Sequence, residues 1–422
     1  FVGLMGVLHA LIPILAQHYG ARRLADVGHA WGQGVWLALG LSVVGGAIML
    51  FPGPWLALSG DIDPAVRSRI DGYLLALIFA LPAALVFRTM YSLGAAVSRP
   101  KVIMSINLVA VVLKAFFNWL LIFGKFGLPA LGAVGAGLST ALVFWISVSL
   151  GALVMRRDRF YAPLALRITR PDWATLRELL RLGLPMGGSY LIEVMAFTFM
   201  ALMVAREGVV VTGAHQISAN LAALCYMAPM AIGIATAAQT AQALGAGNHA
   251  QARRMGAAGR ALALSAALLT VGIVLSGRHA IVAAYTSSEA VAAIAVSLLA
   301  IVPWFHLADS SQTLTVYLLR AYKIAFVPML VQVVALGGVG LLGGWWLAFG
   351  PGAGTLDPIL ARVAPHAPGG AATLWTMATA GMLLSLVLLQ PVYWYVARSR
   401  QLAAAGAPGG RHAPHGNDSA AA

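Results

Sequence analysis

The sequence predicts an all-α, polytopic membrane protein built from two related halves. Three observations carry this. Apolar types make up 60% of the 422 residues and charged types 9%, against roughly 25% charged in a soluble domain, so the charge cannot cover a globular surface. Mean hydropathy is +0.85. Apolar runs of the length needed to cross a bilayer, about 20 residues, recur along the whole chain. The same composition excludes a disordered chain, a collagen and a disulfide-stapled secreted module. The lone Cys225 has no partner for an internal disulfide.

Eleven runs qualify as spans, at about residues 1–19, 31–52, 72–93, 103–124, 130–155, 180–205, 213–240, 256–276, 291–318, 326–349 and 372–396. Pro13, Pro82, Pro185, Pro229 and Pro303 fall inside them. Neighbouring helices satisfy the backbone groups that such prolines free, so the spans stand.

Lysine and arginine divide unequally between alternate loops. Nineteen lie on one side: Arg22, Arg23, Arg99, Lys101, seven between Arg156 and Arg181, then Arg253, Arg254, Arg260, Arg320, Lys323, Arg398, Arg400 and Arg411. Six lie on the other: Arg67, Arg69, Lys125, Arg206, Arg278 and Arg362. Arg88 and Lys114 fall inside spans, which completes the 27. This bias places the 156–181 loop and the C-terminus in the cytoplasm. The net charge of +14 is thus topological and does not imply nucleic acid. It also places residue 1 outside. Phe1 opens within an apolar run, with no charged n-region or cleavage site of a signal peptide. The reading expects a chain lacking its first helix; the alternative is eleven helices with an external N-terminus.

An internal repeat supports the same count. Ala16-Gln17-His18-Tyr19-Gly20-Ala21 recurs as Ala241-Gln242-Ala243-Leu244-Gly245-Ala246, offset by 225. Phe123-Gly124 recurs as Phe349-Gly350, and Pro100 as Pro328, at offsets of 226 and 228. A repeat of six helices returns the chain to the same side, so two six-helix lobes are expected, related by a pseudo-two-fold axis along the membrane normal, with eleven of twelve helices present. The expected units are an N-terminal lobe at 1–155, a basic inter-lobe loop at 156–179 and a C-terminal lobe at 180–400. The remainder, 401–422, rich in Ala, Gly, Pro and His, is expected to be a disordered cytoplasmic tail.

Of the 13 acidic residues, eleven lie in loops, at span ends or in the tail. Glu193 and Asp309 lie well inside spans, on the first and fourth helices of the second half. Ionisable groups at that depth are costly and usually line a cavity. The functional reading is a cation or proton site; the structural one is a carboxylate paired with a buried base or kept protonated. Tyr190 and Phe197 share the helical face of Glu193, and Tyr226, Trp304, Phe305 and Gln216 lie in nearby spans. Aromatic faces attract cations, more strongly when dry. Packing or lipid contact is the alternative role of each. Lys114 is either a snorkelling or carboxylate-paired lysine or a cavity residue. Arg88 lies near enough to a span end to snorkel. His215 and His306 are candidate proton relays or polar packing residues. The sequence holds no HExxH, GxSxG, P-loop or CxxC. The acidic pair Asp61 and Asp63 lies on the outer side, where it does not suit a prenyl-transferring enzyme.

Several segments resemble the MATE (multidrug and toxic compound extrusion) transporters, most closely their NorM-type bacterial branch. They are the run from Leu11 through Pro13, Gln17 and Gly20, the Ser98-Arg99-Pro100 turn, and Gly124 through Gly132. Gly183-Leu184-Pro185 with Glu193, Ala214-His215-Gln216, and Asp309 through Leu319-Arg320-Ala321-Tyr322-Lys323 complete the set. The resemblance covers about residues 3–400. It implies twelve helices, a central cavity opened alternately to either side, and export of cationic amphipathic drugs and dyes against Na⁺ or H⁺. It implies ion coupling by Glu193, Asp309 and Tyr226, with Glu193 and Asp309 ligating Na⁺ if sodium is the coupling ion. It implies that Gln216 lines the substrate cavity, for which Tyr190, Phe197 and Phe305 are the aromatic candidates from the reading of the residues above. A monomer in the bacterial inner membrane without other cofactors is expected, and no enzyme. The chain departs from the family pattern where Lys114 and Phe116 stand in place of the frequent Asn and Pro, and in lacking the acid-bearing first helix. A lipid-linked saccharide flippase of the same superfamily is the alternative. Its anionic cargo calls for a cavity lined by Arg and Lys, whereas the acids and bases inside these spans balance.

Overall fold

A computed structural model describes residues 1–53 and 63–405; Asp61 and the tail beyond 405 lie outside the described residues. Each of the eleven runs is helical, most of them extending past their apolar core. The helices are α1 (Val2–Leu8), α2 (Leu11–Gly20), α3 (Leu24–Leu50), α4 (Pro64–Ala96), α5 (Pro100–Phe123), α6 (Gly132–Arg157), α7 (Trp173–Val204), α8 (Val209–Gly245), α9 (His249–Tyr285), α10 (Glu289–Leu298), α11 (Val302–Ala321), α12 (Phe326–Gln332), α13 (Gly344–Ala348), α14 (Asp357–Val363) and α15 (Gly369–Ala405). The pair α1 and α2 forms one span. The pair α10 and α11 forms another, bent by 43°. A π-helical stretch, Val333–Gly343, joins α12 to α13.

Residue chemistry sets the ends. Pro64 and Pro100 open α4 and α5, where a missing N–H costs nothing. Asp172 caps α7 by accepting from the amides of Ala174 and Thr175. Hydrogen bonds from the Thr175 hydroxyl and amide hold its carboxyl below the usual range. Asn248 caps α9 through the Gln251 amide. Glu207 accepts from the amides of Gly370 and Ala371, a carboxylate set at the start of α15 where free N–H groups gather. Only Ile103 and Ile106 are buried on α5, so that helix lies at the periphery with an apolar face for lipid.

The repeat becomes geometry where α2 crosses α8. The Gln17 side-chain amide donates to the Ala321 carbonyl at 2.9 Å, and that of Gln242 to the Ala96 carbonyl at 2.6 Å. Each partner is the other's mate at an offset of 225. A Cβ on Gly20 would lie 1.9 Å from the Gln242 carbonyl oxygen, and one on Gly245 would lie 2.0 Å from that of Gln17. The turns that follow also match: Arg22 with Gly247, and Ser98 with Lys323, all carry positive φ. Reciprocal contacts between equivalent residues require a local two-fold axis, which passes through this crossing. The crossing sits at the arginine-rich end, and a core of Leu8, Leu11, Leu15, Ile234, Ala241, Tyr317 and Ala321 backs it.

Gly20→Val and Gly245→Val are therefore expected to act alike. Each forces α2 and α8 apart, with an overpacking cost of about 1–3 kcal/mol. Gly272→Val, in open space, serves as control. Melting temperatures of the detergent-purified variants should fall for both mates and hold for the control; a fall for one mate alone would contradict the dyad.

Candidate functional site

Five helices carry chains of residues with helical spacing toward one space between the halves. Val2, Met5, Gly6 and His9 follow one face through α1 to its break. Arg88 comes from α4. Tyr190, Glu193 and Phe197 recur at three and four residues along α7, beyond Pro185. Gln216, Ala223, Tyr226 and Met230 descend α8, and Phe305 and Asp309 lie four apart on α11. Together they line a cavity of about 700 Å³. Of the residues singled out in the sequence, the seven expected in ion coupling or in the substrate cavity, Glu193, Asp309, Tyr226, Gln216, Tyr190, Phe197 and Phe305, stand in this one wall. In every helix they lie on the arginine-poor side of the α2–α8 crossing.

The wall is aromatic on one side. Phe197 meets Phe305 edge-on at 5.8 Å, and both rings pack on the fully buried Trp375. Gln216, Asn220, Thr198 and Met227 are exposed. Asp309 is 4% exposed and accepts a hydrogen bond from the Thr313 hydroxyl at 3.3 Å. Among the described residues neither Glu193 nor Asp309 forms an ion pair, so the paired-carboxylate reading is not what the structure contains. No cluster of three or more His, Cys, Asp and Glu side chains suited to a metal occurs among the described residues. A small cation would instead meet the oxygens of Glu193, Asp309 and the Tyr226 hydroxyl.

The structure adds residues that sequence reasoning missed. Below Tyr190 lies a polar cluster: His9 Nδ1 and the Tyr190 hydroxyl are 2.9 Å apart, the Tyr190 and Tyr317 hydroxyls 2.6 Å, and Arg320 donates to the Tyr190 hydroxyl at 3.2 Å. Arg320 was expected in a loop; it is buried in the last turn of α11, 4% exposed. The apolar context Leu318-Leu319-Arg320-Ala321 was the available signal. Arg88 was expected to snorkel; it lines the cavity and stacks on Tyr91 at 4.4 Å. His9 stood unremarked in the first run. Trp304 is 54% exposed and outside the wall, and His306 is buried away from it, whereas His215 joins it. Lys114 is remote from the cavity. Its ammonium donates to the Ala136 carbonyl and the Ser139 and Thr140 hydroxyls of α6.

Comparison with known proteins agrees with this architecture. The MatE family model matches residues 1–120 and 185–346. A probable multidrug resistance protein NorM of Aromatoleum aromaticum is 39% identical over 390 residues, 92% of this chain and 84% of that protein. The probable NorM of Neisseria meningitidis serogroup B is 34% identical over 355 residues, 83% of this chain and 76% of that protein. The crystal structure of the Vibrio cholerae MATE transporter VcmN in its bent form superposes with a TM-score of 0.80 at 19% identity, covering 95% of this chain and 86% of that one. A two-carboxylate cavity lined from both dyad-related halves thus sits in a multi-pass bacterial membrane protein that belongs to the MatE family.

Proposed function

We propose that this chain is a secondary active multidrug exporter, antiporting cationic amphipathic drugs and dyes against Na⁺ or H⁺ by alternating access. The observation that carries the reading is the single cavity holding both membrane-embedded carboxylates beside an aromatic wall. Relatives named as multidrug resistance proteins over most of the chain support it. A cationic amphiphile gains from aromatic faces and from carboxylates in a dry site. Glu193 and Asp309 bind the coupling ion, with the Tyr226 hydroxyl as a further oxygen; Gln216, Tyr190, Phe197 and Phe305 shape the substrate space. With the arginine-rich end in the cytoplasm, the closed α2–α8 crossing makes this the outward-facing state. The 1–155 and 180–400 lobes then rock about the crossing. One positive charge moving inward gains about 2.3 kcal/mol per 100 mV, a useful share of the work of expelling a cationic drug. Two acids in the wall, with no excess of bases, disfavour the flippase reading.

Glu193→Gln keeps size and polarity but cannot ionise. In proteoliposomes it should abolish ion-driven dye efflux while leaving membrane insertion intact, and Asp309→Asn should match it or be slightly milder. Wild-type rates in a well-inserted Glu193→Gln variant would move coupling elsewhere. Lys114→Met removes only contacts between α5 and α6. It should cost about 1 kcal/mol of stability and leave efflux within about twofold of wild type; loss of efflux at normal stability would place Lys114 in the transport cycle.

A further inference from the structure

Arg320 is a buried guanidinium without a carboxylate partner. Burying an uncompensated cation costs several kcal/mol, so its position asks for a function. Its Nε has no hydrogen-bond partner, and only one of its terminal nitrogens is engaged, by the Tyr190 hydroxyl at 3.2 Å. The side chain lies between the Tyr190 and Tyr317 rings, 5.0 Å from each centroid. Tyr317 is itself seated on the bare backbone of Gly233 in α8, where a Cβ would stand 2.6 Å from the ring. The guanidinium is thus held on two sides by rigid rings.

Two helical faces lead from it to the carboxylates. On α7, Tyr190 stands one turn from Glu193. On α11, Asp309, Thr313, Tyr317 and Arg320 recur at four, four and three residues, a single stripe with Asp309 bonded to Thr313 at 3.3 Å. The residue after Arg320 is Ala321, whose carbonyl receives the Gln17 amide at the α2–α8 crossing. One side chain therefore adjoins both the carboxylate cavity and the contact that closes it.

We propose that Arg320 is the resident counter-cation of the Glu193–Asp309 site, competing with the coupling ion and holding the α2–α8 crossing closed while the carboxylates are charged. This rests on the ion-coupled reading above. With both acids ionised, Arg320 and the cavity-lining Arg88 balance them, and the site needs no bound ion to be neutral. An arriving Na⁺ or H⁺ neutralises a carboxylate, weakens the pull on Arg320 and frees the last turn of α11, and with it Ala321. The groups that face Arg320 are Tyr190 from α7 and Tyr317 from its own helix; His9 meets the same Tyr190 hydroxyl from α1's end, and Tyr226 lines the cavity on α8. None of these carries a carboxylate; the acid nearest to Arg320 along α7 is Glu193, one turn beyond Tyr190, and Asp309 stands further off along α11. Arg320 acts through them as a positioning residue.

The experiment is dye efflux in proteoliposomes titrated with Na⁺ and, separately, with H⁺. Arg320→Gln removes the competitor, so the half-saturating ion concentration should fall about fivefold or more, the scale of a coupling between sites, while maximal rate drops. Arg320→Lys keeps the charge and should restore half-saturation to within about twofold of wild type. Tyr190→Phe, which unlatches the guanidinium and also removes the hydroxyl's contacts with His9 and Tyr317, should shift half-saturation in the same direction to a smaller degree, and it decides the matter if Arg320→Gln fails to insert. An unchanged half-saturation with a reduced rate, in Arg320→Gln or in its Tyr190→Phe substitute, would make Arg320 a packing residue and overturn the proposal. Efflux of the wild type that responds to neither ion would instead overturn the ion-coupled reading itself.

Discussion

The backbone contact between α2 and α8 decides the shape of everything above it. Two glycines, Gly20 and Gly245, let each helix press on the other's Gln carbonyl at a separation that no side chain would allow. Two glutamine amides then spend their donors across the dyad on the carbonyls of Ala96 and Ala321. The two bonds are half-buried, and with the backbone contact beside them they hold the crossing together. It is also small, a few residues at the end of two helices, and its two-fold symmetry means both halves release it together. The cavity lies to one side of this crossing. The residues that line it are those one or more turns above the crossing.

That cavity concentrates the few membrane-embedded charges of the chain. Glu193 and Asp309 face it, Arg88 lines it, and Arg320 lies just behind its wall. In low dielectric a charge is costly to move alone, and the proposed link between carboxylates and arginines rests on that. The rings of Phe197, Phe305 and Trp375 pack on one another at one side of it, while Gln216, Asn220 and Met227 line it exposed. Lys114 stands apart from this economy. Its ammonium is satisfied by three oxygens of α6 and ties two peripheral helices of the first half together.

Much of this was legible in the sequence because bilayers impose a simple grammar. Apolar runs of about 20 residues mark spans, and all eleven are helical here. Glu193 and Asp309 stood out because an acid inside such a run is expensive, and helical spacing tied Tyr190 and Phe197 to the same face. The repeat motifs anticipated the dyad, although only the structure shows that Gln17 and Gln242 bond to each other's halves. The sequence hid Arg320 because counting bases by loop treats any arginine near a span end as solvated, and α11 runs to Ala321. It hid His9 because a lone histidine in an apolar run carries no pattern, and its partner Tyr190 lies 181 residues away. Arg88 was misplaced for a related reason: nearness to a span end permits snorkelling but says nothing of which face the side chain occupies.

The central claim is that neutralising the Glu193–Asp309 site releases the α2–α8 crossing. Its most direct test is the distance between spin labels at Arg23 and Asn248, dyad mates just beyond the paired glycines, measured by double electron–electron resonance in the chain with Cys225 replaced by Ser. The account predicts one short distance in ion-free buffer at alkaline pH, and a second, longer population that grows as Na⁺ is added or pH is lowered. A distance distribution that stays the same across both titrations, in protein that still exports dye, would contradict it.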